Sequence, residues 1–82
     1  MEKEISDVID MDIQSSTLRW IYQQLKAKGC RFSWAMVGYE RMFQIFLGET
    51  LIAGIVSRSD HNKIKTGLFT AARELSVLPK NF

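Results

Sequence analysis

The chain has 82 residues, 46% of them hydrophobic and 24% charged, which fits one domain of ordinary globular composition and excludes a low-complexity or disordered polypeptide. One cysteine and one histidine exclude an internal disulfide and a four-ligand zinc site, and no apolar run reaches the ~18 residues of a membrane-spanning helix. The acidic start is unlike a secretory signal, so the expectation is a small soluble protein of a reducing compartment, cytoplasmic, without metal or cofactor.

The net charge of +2 hides an asymmetry. Residues 1–14 carry five acids (Glu2, Glu4, Asp7, Asp10, Asp12) against Lys3, a net of −4. Residues 15–82 carry ten bases and four acids, a net of +6. This divides the chain into an acidic N-terminal arm, 1–14, and a single basic domain, 15–82. A basic body suits polyanions or an acidic protein partner.

Within the arm, Ile5, Val8 and Ile9 fit helical spacing, whereas Ile9, Met11 and Ile13 alternate with Asp10 and Asp12 as a strand would. Ser15 and Ser16 then offer a helix N-cap. Leu18, Ile21, Tyr22 and Leu25 follow at i, i+3, i+4 and i+7, one apolar stripe. Lys26 and Lys28 suit the negative end of the helix dipole, and Gly29 suits the left-handed residue after it. The pattern predicts a helix over about 16–28.

From Arg31 the period becomes two. Phe32, Trp34 and Met36 alternate with Arg31, Ser33 and Ala35, the mark of a half-buried strand. Gly38 to Arg41 supplies a tight turn. Met42 to Leu47 reads as a second strand, with Phe43 and Ile45 on one face and Gln44 and Phe46 on the other. Gly48-Glu49 is a second turn, and Thr50 to Ser57 a third strand with Gly54 as a bulge position. Loops this short require an antiparallel meander. After a polar stretch, Lys63 to Leu75 reads as a second helix with the stripe Ile64, Leu68, Ala71, Ala72, Leu75. Thr66 or Asp60 is the expected cap, and Pro79 the stop. The predicted fold is α+β, α-β-β-β-α, with both helices on one face of the sheet.

That order over about 15–78 resembles the double-stranded-RNA-binding domain and the HicA-type mRNA interferases, which share its fold. The segment Gly48 to Leu75 carries most of the likeness: a Gly-Glu turn, a strand, a basic polar loop and an Ala-Ala-containing helix. The series His61, Lys63, Ile64, Lys65, Gly67, Leu68 is similar to the interferase's approach to its last helix. The resemblance implies RNA binding through the start of that helix. Two departures qualify it. The first turn, Gly38-Tyr39-Glu40-Arg41, is too short to reach a second minor groove of a duplex. The same stretch lacks the histidine that cleaves RNA in the interferase, so no catalytic residue is assigned and no enzyme is expected.

The candidate nucleic-acid-binding residues are Arg58, His61, Lys63 and Lys65, extended by Arg19 and Lys26 on the first helix. Lysines beside a helix start suit phosphate. Trp20, off the apolar stripe, packs against the arm or marks a partner surface. Tyr39 and Phe46 are the other candidates for such a surface, stacking bases or lining a homodimer interface. Cys30 is expected to be an inert thiol. The expected function is a small RNA-binding module. A protein-binding regulator or inhibitor on the same scaffold is the alternative.

Overall fold

The computed structural model describes residues 16–57 and 59–79. The acidic arm, the expected cap Ser15 and the candidate Arg58 lie outside the described residues. Five elements follow one another: α1 (Ser16–Ala27), β1 (Cys30–Val37), β2 (Glu40–Leu47), β3 (Thr50–Ile55) and α2 (Asp60–Glu74). The fold is α+β, with one open antiparallel sheet in the order β1-β2-β3.

The expected apolar stripe of α1 is buried at all four positions, Leu18, Ile21, Tyr22 and Leu25. After Ala27, Gly29 takes φ 95°, a conformation that costs glycine little, and the chain reverses into β1. Both hairpins then close through two residues. Val37 faces Glu40 across Gly38-Tyr39, and Leu47 faces Thr50 across Gly48-Glu49. Gly38 and Gly48 each have φ 62°. Glycine at the first of two turn residues is the II′ pattern, whose twist matches that of paired strands.

Pairing fixes the faces. Phe32 lies opposite Ile45, and Trp34 opposite Phe43. Phe43 and Ile45 in turn face Ile55 and Ala53. These residues meet the stripes of both helices in one core, with Ile64, Leu68, Ala71 and Ala72 from α2. Tyr22 and Phe32 rings lie 5.0 Å apart, and Trp34 and Phe43 rings 5.1 Å apart. Burying each such large side chain contributes about 1.5–3 kcal/mol.

The expected bulge at Gly54 is displaced. Gly54 pairs regularly with Gln44, and the register slips instead between Ile45 and Phe46, where Ile52 is the extra residue. Gly54 has another role: a β-carbon there would lie 3.1 Å from Met42 Sδ, so its bareness makes room for a neighbouring side chain.

The second helix starts three residues before the expected Lys63. Ser59 is its N-cap, and its hydroxyl oxygen accepts from Asn62 N–H at 3.2 Å. Thr66 and Asp60 therefore lie inside the helix. A capping serine followed by an acid outcompetes a later start because it satisfies an orphan N–H and favours the dipole. At the other end, Ser76 N–H donates to Arg73 O at 3.3 Å and Val77 N–H to Ala72 O at 2.8 Å. These bonds form a Schellman closure, with Ser76 at φ 60°. The helix thus stops well before Pro79. Val77 and Leu78 then fold back onto the core.

Candidate nucleic-acid interface

The meander places the β1–β2 turn, the end of β3 and the start of α2 at one end of the molecule. The β2–β3 turn and the last turns of both helices lie at the other. At the first end, Arg41 is on the face of β2 that carries Phe43 and Ile45, opposite Met36. It lies beyond the fully buried part of the core, and its guanidinium carbon sits 4.2 Å from the centre of the Trp34 ring. Arg41 Nη1 reaches Asp60 Oδ2 at 3.1 Å. Asp60 Oδ1 receives Lys63 Nζ at 3.4 Å, and that ammonium is 5.8 Å from the Trp34 ring centre. One carboxylate on the first turn of α2 therefore gathers two cations against one indole. The arrangement ties the β1–β2 hairpin to α2.

The candidate binding residues separate under this geometry. His61 and Lys65 are exposed on the first two turns of α2. His61 belongs to the helix rather than to a loop before it. Lys63 is only 7% exposed, buried with its stem in the core layer and its charge on Asp60, so it does not face solvent beside them. Arg19 is exposed on the first turns of α1, a helix that runs back along β1 from the end holding the hairpin. Lys26 lies in the last turn of α1, its ammonium 5.5 Å from the Tyr22 ring centre, at the opposite end of the sheet from α2's start.

The aromatic candidates also divide. Tyr39 is fully exposed at the turn, next to the exposed Val37 and near Met36, which is 65% exposed. Trp20 is 46% exposed on α1, and its expected packing against the arm falls outside the described residues. Phe46 lies on the helix-free face of the sheet, half-buried beneath Arg31, whose guanidinium is 5.0 Å from its ring. Around it on the same face stand Ala35, Met42 and Leu51, with Ser33 donating to Gln44 Oε1 at 3.0 Å.

The sequence pattern puts Arg41 in a turn, Trp34 on a strand and Asp60 at a helix cap, so none of the three entered the candidate site. The available clue was strand alternation. An arginine two residues before Phe43 falls in the core-facing register, where a cation needs a partner.

Cys30 is buried, and burial pushes its thiol above the ordinary value, only partly offset by Lys28. Among the described residues no group of three or more His, Cys, Asp or Glu side chains is placed to hold a metal ion. No helix among them is long and apolar enough to cross a membrane. A groove of about 300 Å³ lies between β3 and the end of α2, lined by Leu47, Leu51, Ile52, Leu75, Thr50 and Glu74. It opens beside the bulge and away from the cations at α2's start. No family model, no curated protein and no solved structure matches this chain.

Proposed function

We propose that this domain is a non-enzymatic nucleic-acid-binding module whose ligand is RNA. The observation that carries the reading is the pairing of Arg41 with the first turn of α2, the helix on which His61 and Lys65 are exposed, with the exposed Tyr39 on the adjoining β1–β2 turn. Arg and Lys side chains neutralise phosphates, and an exposed ring offers a stacking platform for an unpaired base. The described residues carry eight Lys and Arg against four Asp and Glu, so the wider field also attracts a polyanion. The resemblance to the double-stranded-RNA-binding domain supplies RNA as the ligand class.

The two-residue turn at Gly38-Tyr39 limits the reach of the hairpin. A short stem with a loop therefore suits this end better than a long duplex. With two or three phosphate contacts, binding is weak, with a dissociation constant on the order of 10–100 µM at physiological salt. Fluorescence anisotropy with a labelled RNA stem–loop tests the reading. Affinity should fall roughly sevenfold to fortyfold between about 50 and about 200 mM salt. Absence of binding at the lower salt would overturn it.

A second reading, a protein-binding regulator, has one observation of its own. The helix-free face of the sheet presents Ala35, Val37, Met42, Phe46 and Leu51 beside Arg31, Ser33, Glu40 and Gln44, a larger apolar share than a solvated face ordinarily shows. Three strands of this length span roughly 14 by 26 Å. Two copies laid face to face would bury on the order of 800 Å², below the ~1,200 Å² of a stable pair. The face alone therefore does not hold a second copy stably, and a protein partner would have to reach past its edges. A stable protein complex that Phe46→Glu abolishes, together with no RNA binding, would choose this reading.

A further inference from the structure

We infer that Arg41 is the principal phosphate-contacting residue of the domain, and that Asp60 is its resident counter-ion, displaced when RNA binds. This rests on the RNA reading above and assigns within that site a residue pair that strand and helix patterning did not single out. Arg41 uses Nη1 on Asp60, while its guanidinium carbon lies 4.2 Å from the Trp34 ring centre. Stacking on an indole holds the planar fork in place without consuming its donors. The remaining nitrogens suit two oxygens of one phosphate, the bidentate geometry that arginine favours.

The exchange is feasible because the existing pair is weak. Both partners are about half exposed, 49% for Arg41 and 50% for Asp60, and ion pairs at such sites are shared with water. Asp60 also keeps a second partner, Lys63, whose side chain is 9% exposed. When Arg41 turns to a phosphate, the carboxylate remains paired and stays with the helix. Lys63 thus serves as the anchor that lets Asp60 release Arg41. His61 and Lys65 are exposed on the first two turns of the same helix.

The test is a mutant cycle read by anisotropy with a labelled RNA stem–loop. Asp60→Asn removes the competing charge while Ser59 still caps the helix, and affinity should rise roughly three- to tenfold. Glu49→Gln makes the same charge change on the β2–β3 turn at the far end and should alter affinity less than about twofold. Arg41→Gln should weaken binding several-fold and reduce the salt slope by about one contact. Introduced into that background, Asp60→Asn should give no further gain beyond the Glu49→Gln control.

A gain from Asp60→Asn no larger than the control, or one that persists without Arg41, overturns the inference and leaves the RNA reading standing. If neither wild type nor Asp60→Asn binds RNA at low salt, both fail. Melting curves report whether Asp60→Asn folds. Should it not, Arg41→Gln decides alone, since it leaves the Asp60–Lys63 pair in place, and unchanged affinity there overturns the inference.

Discussion

A β-carbon on Gly67 would sit 2.8 Å from Phe43 Cδ2 and 3.5 Å from Ile55 Cγ1, closer to the buried ring than packed atoms come. Glycine at this position lets α2 lie directly on the strand pair beneath it. In the middle of a helix, alanine is preferred over glycine by about 1 kcal/mol. Against that stands an overpacking cost of about 1–3 kcal/mol, and Phe43, fully buried, has little room to yield. Gly67→Ala should therefore destabilise the domain by about 1–2 kcal/mol, lowering the melting temperature by roughly 5–10 °C. A thermal melt followed by circular dichroism checks this, and an unchanged or higher midpoint would mean the helix lifts off the sheet at little cost. The sequence displays Gly67 as an oddity in a helical stripe. Only the sheet beneath it supplies the reason.

At the scale of elements, the two hairpins and α1 are local in origin. Gly29, Gly38 and Gly48 all adopt positive φ, and each falls where the hydrophobic pattern breaks. The start and stop of α2 are local as well, but their signals compete. Ser59, Asp60 and Thr66 all have capping chemistry, and Ser59 prevails because its hydroxyl meets Asn62 N–H while the helix gains an extra turn. The stop falls on Ser76, a non-glycine residue at φ 60°, a conformation that costs L-residues about 1–2 kcal/mol. Ser76→Gly removes that strain, less the entropy glycine loses on folding, so a net gain of about 0.5–1 kcal/mol is expected. Urea unfolding should show a higher midpoint with an unchanged slope. A lower midpoint would show that the serine side chain contributes more than its backbone costs.

At the scale of the whole molecule, Cys30 reports on the integrity of the fold. It belongs to the same buried cluster as residues of α1, β2 and α2, and burial raises its thiol above its ordinary value, with Lys28 opposing. The folded state therefore keeps its proton at a pH where the unfolded chain releases it. This group's contribution to stability is full below about pH 9.0 and declines as pH rises above it. At neutral pH, alkylation by iodoacetamide should be slow and should accelerate in proportion to the unfolded population as urea is added. Fast labelling of the native protein would mean that the end holding β1's first residue opens on its own. What the sequence determined by itself was the element order, the antiparallel meander, the strand faces and the stripe of α1, because periodicity and turn chemistry act over a few residues. It also determined the charge asymmetry. The tertiary structure decided which cations share a surface. Lys63 and Lys65 are two positions apart, yet one is buried on Asp60 and the other faces solvent. Arg41 reaches Asp60 across 19 residues. Such pairings depend on how a helix start settles against a hairpin, and they follow from packing and desolvation, which no local pattern encodes.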